Sequence, residues 1–277
     1  MSHSLSDQEN VGLGVFAAFV EAICLQPTLY WKNARAQGLP FTLNPRIIYR
    51  GTTMSVINEM QMMGVQFGTT GFLQRMWLTY VVKNSSSNSS SSSSLSMFDE
   101  LGLAYIGGAI SAIPTCPVEL VMINQQKTGH GMMKMISNIL SNHGILNNGL
   151  MRGFMPCMMR DSIYTCGLLG VTPFTQDYLM KKFDFSQSVS GFYASIVGGC
   201  FSAAFSHPFD VVKTCMQGDL KKERFTTSIA TTRNLLQEGG VMMLFRGLFW
   251  RSVNIVATVY MANEIRVRGT DYILKNR

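Results

Sequence analysis

The chain has 277 residues, 47% of them hydrophobic and only 14% charged, with a formal net charge of +7. That is too apolar for an ordinary soluble domain, and no basic run interleaved with aromatics accounts for the charge, so no nucleic-acid partner is expected. Six cysteines (Cys24, Cys116, Cys157, Cys166, Cys200 and Cys215) stand singly in apolar stretches without CxxC spacing, and four histidines are scattered. That excludes zinc and redox motifs, and neither a metal nor a cofactor is expected.

In chain order, residues 1–10 ("MSHSLSDQEN") form an N-terminal tail without a basic n-region or an Arg-rich amphipathic pattern, so no signal or transit sequence is expected there. Apolar stretches approaching the ~20 residues a bilayer requires follow at 11–30, 54–82, 101–123, 155–180, 192–216 and 248–267. Several are broken by glycine, serine or a lone charge, as expected of helices lining a polar cavity. The first, third and fifth end in "LQPTLYWK", "TCPVELVM" and "SHPFDVVK", whose prolines Pro27, Pro117 and Pro208 lie 90 and 91 residues apart. Ahead of each following stretch comes "YRG" (49–51), "MRG" (151–153) or "FRG" (245–247). A two-helix unit repeated three times is the prediction: 11–83, 99–183 and 184–277, with a serine-rich linker at 84–98.

The connections inside the repeats hold 13 of the 23 lysines and arginines, which by the positive-inside tendency orients that face. In the second and third repeats they also carry amphipathic words, "MMKMISNILSNHG" and "TTSIATTRNLLQEGG", predicting short surface helices. The first connection is shorter, 24 residues from Pro27 to Gly51 against 36 from Pro117 to Gly153, and its surface helix is expected to be vestigial. The fold class is thus an all-α membrane protein: six transmembrane helices in three pseudo-symmetric repeats around a central cavity, with short surface helices on the basic face.

These residues resemble the mitochondrial carrier family, whose signature is Pro-x-[Asp/Glu]-x-x-[Lys/Arg] at the end of each odd helix, followed by an aromatic, a basic residue and glycine. "PFDVVK" matches fully, "PVELVM" has Met122 in the basic place, and "PTLYWK" has Leu29 in the acidic place. The resemblance implies prolines that kink the odd helices and a matrix gate of ion pairs between repeats, Glu119 with Lys213 and Asp210 with Lys32. The two missing charges, Leu29 and Met122, would face each other as an apolar contact. Losing one charge alone would leave a buried unpaired ion, at about 3–5 kcal/mol. Gln126 and Gln217, four residues past the basic place, match the family's glutamine braces, with Ala36 in the first repeat. The resemblance also implies cardiolipin at Gly51, Gly153 and Gly247, where a glycine before a helix N-terminus, aided by the preceding arginine, brings phosphate to free amides. The family's second charge ring, at the ends of the even helices, is not found in register.

Substrate contacts in the family lie seven and eight residues beyond these glycines, which implies Asn58 with Glu59, Arg160 with Asp161, and Asn254 with Ile255. Arginine followed by an acid resembles carriers of amino acids and related zwitterions such as carnitine or S-adenosylmethionine. Arginine would hold a carboxylate through paired hydrogen bonds, and Asp161 and Glu59 an ammonium. Nucleotide carriers usually show a glycine and an aliphatic residue at the second contact. Which way Glu21 and Arg251 face is open at this stage. The expected function is exchange of a small metabolite by alternating access across the mitochondrial inner membrane, by a monomer that is not an enzyme. The alternatives are a non-transporting membrane adaptor or receptor built on the same fold, and a nucleotide or carboxylate carrier.

Overall fold

In the computed structural model the described residues are 16, 19–82, 97–146 and 149–275, and every regular element among them is helical. The tail at 1–10 and the serine run at 84–94 lie outside the described residues. A helical stretch at 19–24 leads into α1 (Gln26–Gln37), the single turn α2 (Pro45–Ile48), and α3 (Thr52–Trp77), which widens into a π-helical turn at Leu78–Val82. Next come α4 (Met97–Thr128), α5 (Met132–His143), α6 (Phe154–Cys166), a second π-helical turn (Gly167–Val171) and α7 (Thr172–Phe183). The last segment holds α8 (Gln187–Gly218), α9 (Ser228–Gly239), a 3-10 turn (Val241–Phe245) and α10 (Leu248–Lys275).

The amphipathic words at 132–144 and 226–240 form α5 and α9, while the shorter first connection keeps only α2. In α5, Met135 and Ile139 stand four residues apart on one face and pack with Leu120, Val121, Met122 and Ile123 of α4. Prolines expected to kink the odd helices are handled in two ways. α4 runs on through Pro114 and Pro117, and α8 through Pro208, whereas Leu25 interrupts the first helix. Pro27 then sits in the first turn of α1, where its missing N–H would have had no helical partner anyway.

Around α4 pack α3 and α6; α8 receives α6, α7 and α10, and α10 returns to α1. The α4–α6 approach is close. A Cβ on Gly108 would lie 2.5 Å from the carbonyl oxygen of Asp161 and 2.6 Å from Cα of Ser162, so only glycine fits. Burial is inverted relative to a soluble domain: Lys32, Asn58, Gln66, Asn124, Arg160 and Lys213 are buried, while Phe72, Ile113, Phe205 and Phe249 are exposed. Apolar side chains outside and ionic ones inside suit a chain whose outer solvent is lipid. Phe98–Thr128 and Val189–Gly218, of 31 and 30 residues, are long and apolar enough to cross a membrane by themselves.

Candidate functional site

The three signature ends come together. Lys32 Nζ on α1 lies 2.9 Å from Asp210 Oδ2 on α8, and Lys213 Nζ on α8 lies 2.7 Å from Glu119 Oε2 on α4. These are the two inter-repeat pairs the signature implied. Where the third pair would stand, Leu29 packs against the cluster that contains Met122, and Ser55 Oγ donates to Met122 Sδ at 3.2 Å. An apolar contact there leaves no stranded ion. Below the ion pairs the helix ends are tied across repeats. Asn33 donates to Gln126 Oε1 (2.9 Å), Asn124 to the Gln217 carbonyl (2.9 Å), and Cys215 to the Ala36 carbonyl (3.2 Å).

Gln126 and Gln217 do not brace an ion pair, which corrects the expectation for both. Gln126 bonds Asn33, and Gln217 Nε2 donates to the carbonyls of Cys116 (3.3 Å) and Arg152 (3.2 Å). Buried side-chain amides take whatever backbone or side-chain partner lies within reach, which for Gln217 is two carbonyls and for Gln126 the Asn33 amide.

Arg160 and Asp161, expected at a separate substrate level, belong to the same network. Arg160 Nη1 is 2.5 Å from Glu119 Oε1 and 3.4 Å from Asp210 Oδ1, and the guanidinium also pairs with Asp161. Arg251, whose direction the sequence leaves open, lies 2.9 Å from Asp210 Oδ2 and donates to Ser206 Oγ at 2.7 Å. Lys213 adds a contact to Asp210 Oδ1 at 3.3 Å. Four cations (Lys32, Arg160, Lys213, Arg251) therefore surround three carboxylates (Glu119, Asp161, Asp210), and Asp210 touches all four. The Cys157 thiol lies 3.7 Å from both Glu119 Oε2 and Asp161 Oδ2. The sequence signal for Arg251 was its position four residues past Gly247, one turn into α10 and next to the predicted contact Asn254.

At the arginine-glycine turns, Gly51, Gly153 and Gly247 all have positive φ (80°, 76° and 88°), the conformation that lets the chain reverse into an even helix. Each also rests on the odd helix of the next repeat: an added Cβ would lie 3.3 Å from the Met122 carbonyl at Gly51, 3.4 Å from Gln217 Cγ at Gly153, and 3.0 Å from the Lys32 carbonyl at Gly247. Two of the three preceding arginines, Arg152 and Arg246, are not held out for a phosphate, a correction to the sequence reading for those two. Arg152 is buried and donates to the Met216 carbonyl (2.6 Å) and the Phe225 carbonyl, and Arg246 donates to the Ala36 carbonyl (2.7 Å). Both cap the C-terminal end of a neighbouring helix, where orphan carbonyls attract cations. A further threefold feature was not anticipated. The residue before each signature proline donates to the carbonyl of its own repeat's arginine: Gln26 to Arg50 (3.4 Å), Cys116 to Arg152 (3.5 Å) and His207 to Arg246 (3.1 Å).

Beside the network, Asn58 is buried with its Oδ1 unpartnered, and Glu59 is half-buried. Among the described residues the carboxylates of Glu59 and Glu21 make no ion pair or side-chain hydrogen bond. They lie within electrostatic reach of each other, and Glu59 also of Glu119, Lys32 and Arg160. Asn254 instead donates to Thr28 Oγ1 at 2.9 Å, joining α10 to α1. Among the described residues the buried ion pairs all lie at the signature end. Outside the helical bundle, Asp219 accepts the backbone N–H groups of Glu223, Arg224 and Phe225 at 3.3, 2.9 and 2.8 Å. Burial works to raise its carboxyl pKa, but these three amides and Arg152 outweigh it and hold the group below its ordinary value.

Helices closing on a buried ionic centre, with apolar side chains turned outward, define an all-helical bundle with an ionic interior. The family model described as "Mitochondrial carrier protein" matches residues 93–183 and 185–262, and the chain belongs to that family. It is similar to the mitochondrial GTP/GDP carrier protein 1 of Saccharomyces cerevisiae, at 30% identity over 50% of this chain and 46% of that protein. It is also similar to mitochondrial uncoupling protein 6 of Arabidopsis thaliana, at 22% identity over 75% of this chain and 61% of the relative. The mitochondrial glycine transporter of Vanderwaltozyma polyspora is 22% identical over 86% of this chain and 88% of its own length. The chain spans about half the length of several of the curated relatives it matches.

Proposed function

We propose that this chain is a solute carrier of the mitochondrial inner membrane, exchanging a small metabolite by alternating access, with Glu119–Lys213 and Asp210–Lys32 as its matrix-side barrier. The carrying observation is the buried ionic centre joining Lys32, Glu119 and Asp210, with Asn58 Oδ1 and, among the described residues, the Glu59 carboxylate unpartnered. Ion pairs suit a barrier that must both close and open, because desolvation cancels much of their mutual attraction.

The solute class follows from which groups are free. Arg160 is occupied by three carboxylates, and every cation in the centre is paired. Glu59, Glu21 and the Asn58 carbonyl oxygen remain, and they favour an ammonium-bearing solute: an amino acid, a related zwitterion, or an organic cation of carnitine or S-adenosylmethionine type. Among the described residues of the ionic centre, a polyphosphate would meet two unpaired carboxylates and only paired cations, which disfavours a nucleotide despite the similarity to a GTP/GDP carrier. The positive-φ glycines at Gly51, Gly153 and Gly247 leave helix N-termini for cardiolipin, through backbone amides rather than Arg152 or Arg246.

The test is uptake by proteoliposomes preloaded with amino acids, carnitine, S-adenosylmethionine or nucleotides. Exchange of an ammonium-bearing solute, weakened in Glu59→Gln, is expected. No exchange with any of them, in protein shown folded by its thermal transition, would sink the transport reading in favour of an adaptor.

A further inference from the structure

The bridging lysines and the acids they hold come from different repeats: Lys213 of the third reaches Glu119 of the second, and Lys32 of the first reaches Asp210 of the third. When repeats part, these contacts are lost. Each acid also touches an arginine from its own repeat, Arg160 on Glu119 at 2.5 Å and Arg251 on Asp210 at 2.9 Å. In the first repeat, where Leu29 replaces the acid, the positions four and seven residues past the glycine are Ser55 and Asn58. The arginine is present in the two repeats that keep the acid and missing from the one that lost it. The two arginines stand seven and four residues past Gly153 and Gly247, so they are not copies of one inherited position. Shared need, rather than shared ancestry of the position, accounts for the correlation.

We propose that Arg160 and Arg251 are resident counter-ions that keep Glu119 and Asp210 neutralised when Lys213 and Lys32 withdraw, and so lower the barrier to opening the gate. Lys32 Nζ and Arg251 Nη1 share one oxygen, Asp210 Oδ2, each at 2.9 Å. In the closed state the arginine is redundant there, since Lys32 occupies the oxygen and Lys213 and Arg160 hold Oδ1. On opening, Lys32 leaves and Arg251, steadied by Ser206 Oγ at 2.7 Å, is the cation that remains on Oδ2. Without it that oxygen would face a low-dielectric cavity unpaired, a cost borne by the opening step and not by the closed state.

This inference rests on reading the centre as a gate, but its test needs no substrate. Cys157 is fully buried behind Glu119 and Asp161, so a thiol reagent reaches it only when the network parts, while exposed Cys24 and Cys200 are internal controls. The purified full chain in detergent is treated with N-ethylmaleimide, which partitions into the apolar phase and so reaches exposed Cys24 and Cys200, and labelling of each cysteine is followed by peptide mass spectrometry. Arg251→Gln is expected to slow labelling of Cys157 at least fivefold with Cys24 and Cys200 unchanged, and Arg251→Lys to stay within twofold of wild type. A merely structural arginine would give the opposite sign, since looser packing exposes Cys157. Unchanged or faster labelling in Arg251→Gln, failure of that variant to fold, or equal slowing in Arg251→Lys would overturn the proposal. A failed solute screen with the labelling result intact would count against transport only.

Discussion

The two ends of the Lys32–Asp210 bridge are not equivalent, and breaking it from either end has different consequences. Asp210 has four cationic partners, so Lys32→Gln leaves it with three, and the centre passes from four cations over three carboxylates to three over three. The loss is one charge-assisted contact, about 1.5 kcal/mol. Asp210→Asn strands four cations around Glu119 and Asp161 alone, two in excess, in a site where Asp210 and Lys213 are each only 1% exposed. Removing one partner of a buried ion pair costs about 3–5 kcal/mol. At ~2–4 °C per kcal/mol for a chain of this order, Lys32→Gln should lower Tm by about 5 °C and Asp210→Asn by about 10 °C or more. A thiol-reactive dye that reports exposure of buried Cys116, Cys157 and Cys215 during heating in detergent measures both. Equal shifts, or a larger one for Lys32→Gln, would refute the picture of Asp210 as the hub.

Three further outcomes are expected. Gly108→Val should destabilise by about 1–3 kcal/mol through overpacking against Asp161 and Ser162, whereas Gly102→Val on the same helix, with nothing within 4 Å of its Cβ, should not; thermal unfolding distinguishes them. Asp219→Asn should cost about 1 kcal/mol at neutral pH, after allowance for solvent exposure, because three amides lose a charged acceptor. The folded Asp219 pKa is depressed, so that stabilisation is present above the unfolded value and disappears as pH falls through the folded one; the two proteins should converge in Tm in acid. Glu59→Gln should raise KM for an ammonium-bearing solute at least tenfold in proteoliposome uptake while leaving Tm nearly unchanged, since Glu59 makes no ion pair among the described residues.

From the sequence by itself came the helical class, the expectation of a threefold repeat and the places of two surface helices; the family resemblance added which acid was expected to meet which base. Spacing of Pro27, Pro117 and Pro208 and two amphipathic words carried the repeat and the surface helices locally, whereas the pairing came with the family's signature and not from the spacing. Family membership rests on the same words, matched over the second and third repeats. Only the tertiary structure decided what Arg160, Arg251, Gln126, Gln217 and Arg152 touch. Their long, flexible side chains choose among several acceptors within reach, and that choice depends on which carbonyls and carboxylates the neighbouring repeat leaves unsatisfied. The family resemblance set Arg160 at an expected substrate contact, yet its reach brings it to Glu119 and Asp210. Helical periodicity fixes where a Cα stands, whereas the partner of a buried charge is settled by the sum of charges packed around it.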